Sequence, residues 1–400
     1  MHVSRSAFVS SIFLSRLADQ MLFFLVPLVV FATTHEATWS GIAFFVEALP
    51  RFLAFPLCGV LCDRMSPVRL LRISQASRAI TCLVGLAGYL VWGGFPWLVG
   101  LSAVCGALTS QGFVAREVLL PRVFAGQSFE KVLSYTQLAD QLGMVLGPLA
   151  ATALMGWRNW EWAVGGAGLL FMASDGLVEV WQRTTSARIR PPAHTTGPLY
   201  APLCTAIAQV LTLPGLVRLV LLAAAENLVI GTALATSAAM VTGTFGQTSE
   251  FYAALQVAGA IATVLILLLV AHVKISRVRL GTVAFIAIAA GGLAMGMSTS
   301  IATYTIAFLV VIGFDKMFNV YIRSSRQAII PPQDYGKTTG VIVLLNNATQ
   351  PLAGLLVGLA AGKSSISLVV TLTAAGMITL GGFVTVISVA RARLHASRCY

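Results

Sequence analysis

Arg116-Glu117-Val118-Leu119-Leu120-Pro121 opens a stretch that passes through a polar turn into an apolar helix carrying Gly147-Pro148-Leu149-Ala150. The pattern returns as Arg326-Gln327-Ala328-Ile329-Ile330-Pro331, a second polar turn, and an apolar helix carrying Gln350-Pro351-Leu352-Ala353-Gly354. The offset at the first arginine is 210 residues, about half the chain, and the second part of the match is shifted by seven. Two related apolar halves are the sequence mark of many secondary transporters, whose substrate site lies between the halves.

Composition agrees. Hydrophobic residues make up 57% of the 400 residues and charged residues 10%, with a mean hydropathy of +0.86. A soluble domain carries about 25% charged residues, so the chain reads as an integral membrane protein. Each crossing consumes ~20 apolar residues, and twelve crossings with short loops fill the length. We predict helices over 7–32, 39–62, 73–93, 96–121, 129–155, 158–182, 215–242, 251–272, 280–298, 300–323, 338–361 and 365–390. The predicted fold is all-α: twelve transmembrane helices in two pseudo-symmetric six-helix halves, 1–182 and 215–400. The linker 183–214 is rich in proline, glycine and threonine; its apolar piece Ala201–Leu213 is read as lying along the inner membrane surface.

The net charge of +12 does not point to nucleic acid. Basic clusters sit at the N-terminus, at every second loop (Arg64, Arg69 and Arg72; Arg116, Arg122 and Lys131; Arg183, Arg188 and Arg190; Lys274, Arg277 and Arg279; Arg323, Arg326 and Lys337) and at the C-terminus, while the intervening loops hold Arg158 and Lys363. This is the positive-inside pattern, and it predicts both termini in the cytoplasm. The apolar run from Ala7 to Ala32 is too long for a cleavable signal and carries Arg16 and Asp19 in its middle. The six cysteines imply no disulfide framework. Gly354, Gly358 and Gly362 form a small-residue ridge for close helix packing, and Pro50 and Pro56 are expected to bend the second helix.

Between the second and third predicted helices the chain reads Gly59-Val60-Leu61-Cys62-Asp63-Arg64-Met65-Ser66-Pro67-Val68-Arg69. This resembles the loop signature of the major facilitator superfamily, Gly-x-x-x-Asp-Arg/Lys-x-Gly-x-Arg/Lys-Arg/Lys. Gly59, Asp63, Arg64 and Arg69 match; Ser66 replaces the second glycine and Val68 one basic residue. The resemblance implies that these four residues latch the cytoplasmic side when the transporter faces outward. In the fifth predicted helix, Gly143-Met144-Val145-Leu146-Gly147-Pro148 resembles the antiporter motif of the same family, with Ala151 and Thr152 in place of its glycine pair. By that resemblance Gly143, Gly147 and Pro148 form a hinge. Phe13-Leu14-Ser15-Arg16-Leu17-Ala18-Asp19-Gln20-Met21 is similar to the first helix of the enterobactin-type siderophore exporters, and a related Asp-bearing helix occurs in ferroportin-like iron exporters.

Ionisable groups inside predicted helices are Arg16, Asp19, Glu47, Arg51, Arg78, Asp140, Asp175, Glu226, Asp315 and Lys316. A charge at the bilayer centre costs ~2.5–3.5 kcal/mol on the insertion scale, so such residues face the bundle interior and mark a pathway or form structural pairs. Arg16 lies one turn before Asp19 on the same face, so the two can pair as a proton switch. Glu226 and Asn227 lie mid-way along the seventh predicted helix, the counterpart of the first. Asp140 either faces the cavity or neutralises Arg78 or Arg16. Glu47 and Arg51 are spaced to satisfy each other, Asp315 and Lys316 are adjacent and expected to point apart, and Arg78 is expected to snorkel from its helix end. Asn346 and Asn347 offer uncharged hydrogen bonds to a substrate or bridge two helices.

The leading expectation is a proton-coupled transporter exporting a small organic molecule, siderophore-like or drug-like, as a monomer in a bacterial inner membrane. The substrate-and-coupling candidates are Asp19, Arg16, Glu226, Asn227, Asp140, Asn346 and Asn347. The partners so implied are the small-molecule substrate, protons and the lipid bilayer. Alternatives are a divalent metal-ion exporter or small-molecule importer on the same fold, and a non-transporting membrane sensor. No metal site or cofactor is assigned. Neither a P-loop, a Gly-x-Ser-x-Gly nor a His-Glu-x-x-His motif occurs, so an enzyme is not expected.

Overall fold

In lipid a backbone has no water to bond with, so a spanning chain closes its hydrogen bonds within helices. The computed structural model, described over residues 2–34, 37–94, 96–157, 159–185, 200–360 and 366–396, follows that rule. Its helices are α1 (His2–Thr34), α2 (Ala37–Arg64), α3 (Pro67–Trp92), α4 (Pro96–Val123), α5 (Phe129–Trp157), α6 (Trp160–Thr184), α7 (Tyr200–Thr212), α8 (Leu216–Ala238), α9 (Ser249–His272), α10 (Arg277–Gly296), α11 (Ile301–Ile329), α12 (Tyr335–Asn347), α13 (Thr349–Ala360) and α14 (Ile366–Ala396). Setting α7 aside and joining α12 to α13 leaves the twelve helical passages that the sequence predicts. Among the described residues nine of the stretches are long and apolar enough to cross a membrane. The predicted crossings not among them are α2, α3 and the α12–α13 passage; α3 is diluted by Arg69, Arg72 and Arg78.

Three local features depart from simple long helices. The predicted eleventh helix is broken at Ala348, between α12 and α13. Pro351 has no N–H to give the Asn347 carbonyl four residues back, and the helix restarts after the break. The end of α8 widens into a π-helical turn over Ala239–Thr244. The linker piece forms the helix α7, in which Ala206 and Val210 are buried. The stretch 186–199 and the residues Gly362 and Lys363 lie outside the described residues.

The chain divides into two compact units: Met1–Gln209 with Ile330–Leu344, and Val210–Ile329 with Leu345–Tyr400. Ile330–Leu344, part of the second half by sequence, thus packs with the first unit. In the first unit α1 lies against α5 and α6, α2 against α4, and α3 against α4 and α6. Its apolar core gathers Met21, Leu22, Leu25, Leu98, Leu101 and Phe171. Small residues permit the close approach of α5 to α1. A methyl group at Gly147 would stand 2.5 Å from the Gln20 Cβ, and one at Gly143 would stand 2.8 Å from the Arg16 Cβ. A buried polar knot ties α1, α3 and α6: the Gln75 amide donates to Ser174 Oγ at 2.6 Å, and Ser174 Oγ donates to the Ser11 carbonyl at 2.8 Å. In the second unit α10 packs on α11, and α8 packs on α13 and α14.

Candidate functional site

The first unit holds its charges in a pocket framed by α1, α3 and α4. Arg78 is its deepest cation: its side chain is 2% exposed, and Nη1 donates to Asp19 Oδ1 at 2.8 Å. Thr109 Oγ1 donates to the same oxygen at 2.7 Å, and Arg78 Nη2 donates to Ser15 Oγ at 3.0 Å. The guanidinium carbon lies 4.4 Å from the centre of the Phe171 ring, a cation–π contact strengthened by removal from water. Gly112 makes the room, since a methyl group there would meet Ser74 Oγ at 2.9 Å and Arg78 Nη2 at 3.3 Å. Arg78 therefore does not snorkel. It takes the partner that the sequence assigns to Arg16, because α3 packs closely on α4 and α6 and leaves it no route to water.

Asp140 is likewise engaged by a residue the sequence places at a loop. Arg116 donates from Nη1 and Nη2 to its two carboxylate oxygens, each at 3.0 Å. Arg116 is among the buried residues of α4 and so lies inside the helix bundle, not among the loop charges with which the sequence groups it. The two-pronged geometry is the strongest form of a guanidinium–carboxylate bond, so Asp140 neutralises Arg116 and not Arg78. Arg51 sits 5.1 Å from the centre of the Phe23 ring; the side chain of Glu47, its expected partner, lies outside the described residues.

In the second unit Glu226 of α8 is buried, and its carboxyl lies beside that of Asp315 on α11. Lys316 Nζ lies 2.6 Å from Asp315 Oδ2. The neighbours Asp315 and Lys316 therefore meet at their tips, contrary to the expectation that adjacent residues point apart: the four-carbon stem of Lys316 is long enough to reach back to the short Asp315 side chain. Glu226 Oε1 is enclosed without a hydrogen-bond partner. Asn227 is half-buried and makes no side-chain hydrogen bond among the described residues. Asn346 and Asn347 flank the break at Ala348; Asn346 Oδ1 is enclosed without a partner, and its carbonyl accepts from Thr349 Oγ1 at 2.6 Å. Among the described residues no three His, Cys, Asp or Glu side chains gather as a metal site needs.

The third site is the loop signature. Asp63 Oδ2 accepts the backbone N–H of Lys337 at 3.1 Å, at the first turn of α12. A methyl group on Gly59 would stand 2.6 Å from the Gly336 carbonyl oxygen, and one on Gly340 would stand 2.5 Å from that of Phe55. Backbone thus meets backbone here, which only glycine allows. Thr338 Oγ1 donates to Gln209 Oε1 at 2.6 Å, tying α7 to the same turn. Arg69 lies on the α3 surface near the ion pair of Arg72 with Asp175, which is closed at 3.0 Å. Burial pushes the Asp63 carboxyl up to about 6, against the lowering pull of the Lys337 amide. A carboxyl raised above its unfolded value holds its proton more tightly when folded, so its contribution favours the packed state at low pH and is lost as pH rises from about 4 to about 6. The melting temperature should fall across that window more steeply in the native protein than in Asp63→Asn; parallel curves would remove Asp63 as the cause.

The family model of the Major Facilitator Superfamily matches residues 8–354. The chain belongs to that superfamily. One curated relative, an uncharacterised MFS-type transporter of Sinorhizobium fredii, is 30% identical over 154 residues; the match spans 38% of this chain and 38% of the relative. Among solved structures, a bacterial homologue of the iron transporter ferroportin in its outward-facing state gives a TM-score of 0.75 at 16% identity, covering 96% of this chain and 99% of that one. The human organic anion transporter MFSD10 gives 0.74 at 15%, covering 95% and 99%. The E. coli fucose:proton symporter FucP gives 0.75 at 11%, covering 95% and 98%. At these identities the likeness shows the fold alone. This member of the Major Facilitator Superfamily is a multi-pass integral membrane protein.

Proposed function

We propose that the chain is a proton-coupled secondary transporter that exports a small organic molecule, siderophore-like or drug-like, by alternating access. The observation that carries the coupling is the cluster Glu226, Asp315 and Lys316. Two carboxyls and one ammonium share a buried place. Lys316 neutralises Asp315, and a second ionised carboxyl beside it in a low-dielectric interior is costly, so the pair favours keeping one proton. In this reading the pair carries that one proton. Its departure leaves a second negative charge in a low-dielectric interior, which is costly without a new cation or water. The cluster therefore ties proton release to a change in its surroundings, which is the requirement for coupling.

Export is supported by the likeness of the first helix to exporter helices, and an inner-membrane location with cytoplasmic termini by the alternation of basic clusters. The protein acts as a monomer in this reading. Untargeted mass spectrometry of cells and medium, with and without the protein, in iron-poor and iron-replete growth, tests the cargo. An organic solute that accumulates inside cells lacking the protein is the expected result. Unchanged organic solutes in both conditions, with altered cellular metal content, would replace this reading with metal export.

A further inference from the structure

The linker helix α7 has two unlike faces. Ala206 and Val210 are buried on one, with Gln209 half-buried beside them. Cys204, Ile207, Ala208 and Leu211 stand on the other, at the spacing that lines one side of a helix. All four are exposed, Ile207 by 51% and Leu211 by 69%. No charged residue occurs between Tyr200 and Thr212. On the packed side, Gln209 uses both ends of its amide on α12. Its Nε2 donates to Asp334 Oδ2, and its Oε1 accepts from Thr338 Oγ1 at 2.6 Å. Asp334 and Thr338 close the first turn of α12, the Thr338 N–H donating to the Asp334 carbonyl at 3.1 Å. Within that turn the Lys337 N–H donates to Asp63, and the Lys337 ammonium pairs with Asp334. One turn is thus held by α2 through Asp63 and by α7 through Gln209.

At 13 residues α7 is about 20 Å long, too short for a hydrocarbon core of ~30 Å. The three residues Leu213-Pro214-Gly215 separate it from α8, whose stretch Leu216–Thr244 is long and apolar enough to cross the membrane. Gly215, with φ 82°, turns the chain between them. An uncharged face of this kind is unfavourable in water and favourable at the boundary of headgroups and acyl chains. We propose that α7 is a strap seated in the membrane surface, with Cys204, Ile207, Ala208 and Leu211 in lipid and Gln209 holding the first turn of α12. The occupant of the exposed face is the bilayer, because the face carries no charge to select a soluble partner and stands three residues from a membrane-crossing helix. Seating of α7 in lipid and order in the α12 turn are then linked. That loosening this turn alters transport rests on the transporter reading; the lipid seat and the link to α12 do not.

The test uses the full-length protein in nanodiscs of phosphatidylethanolamine and phosphatidylglycerol. Among the described residues Cys204 is the one exposed cysteine. With Cys399, outside those residues, replaced by serine, a nitroxide on Cys204 reports the face. Its relaxation should respond more to oxygen, which concentrates among acyl chains, than to a water-soluble nickel chelate. Hydrogen–deuterium exchange of the peptide spanning 333–340 reads the hold on α12. Gln209→Ala should speed exchange there about 10-fold, the order set by two lost hydrogen bonds, while α3 and α6 exchange as in the native protein. The double substitution Ile207→Asn with Leu211→Asn should speed exchange in the same peptide. A nitroxide more open to nickel than to oxygen overturns the lipid seat, and it does so without any substitution in α7. Native exchange in Gln209→Ala overturns the hold on α12, and native exchange in the double variant overturns the link between the two. No flux is measured, so these outcomes are independent of proton-coupled export.

Discussion

Asp19→Ala is expected to lower the melting temperature on the order of 10 °C, the equivalent of about 3–5 kcal/mol for stranding one member of a buried ion pair. The side chains of Asp19 and Arg78 are 5% and 2% exposed. Without the carboxylate, Arg78 keeps Ser15 Oγ, the Ser74 carbonyl and the Phe171 ring, none of which carries a compensating charge. Asp19→Asn retains an acceptor for Thr109 and should lose less. The double substitution Asp19→Leu with Arg78→Met removes both charges and should recover most of the loss, because a buried pair often contributes little beyond an apolar replacement. Melting curves of the four proteins check this. A native-like curve for Asp19→Ala would mean that the pair is dispensable.

Glu226→Gln is expected to abolish the response of transport to a proton gradient while leaving exchange of solute across the membrane in place. The amide has the shape of the protonated acid and can donate to Asp315, yet it cannot release a proton. With the solute found to accumulate in cells lacking the protein, gradient-driven flux in proteoliposomes should fall by 10-fold or more, which corresponds to about 1.4 kcal/mol of lost driving interaction per factor of ten. Counterflow of the same solute needs no net proton movement and should persist. Gradient-driven flux at native levels in Glu226→Gln would take Glu226 out of the coupling.

Much of the fold is legible in the sequence because a bilayer leaves few choices. Long apolar runs, alternating basic loops and the repeated Arg…Pro pattern each report helices that must close their own hydrogen bonds. Within the loop signature, Gly59 and Asp63 make tight contacts. Their partners, Gly336 and the Lys337 amide, are far along the chain and lack any local mark. Pairings failed where spacing on one helix was used to choose a partner. Arg16 and Asp19 lie one turn apart, but Asp19 lies closer to a guanidinium from α3. Arg116 is grouped in the sequence with the loop charges Arg122 and Lys131, although the predicted helix already runs past it; the packing of α4 in the bundle makes it the partner of Asp140. Asp315 and Lys316 looked divergent by their adjacency, yet their contact with Glu226 depends on the packing of α11 against α8.

The most direct test of proton coupling through Glu226 and Asp315 is infrared spectroscopy of the purified protein at neutral pH, following the carbonyl stretch of protonated carboxyl groups. The account predicts such a band in the native protein and its loss in both Glu226→Gln and Asp315→Asn, with the helical backbone signal unchanged. A native protein without the band, or a band that survives both substitutions, would contradict it.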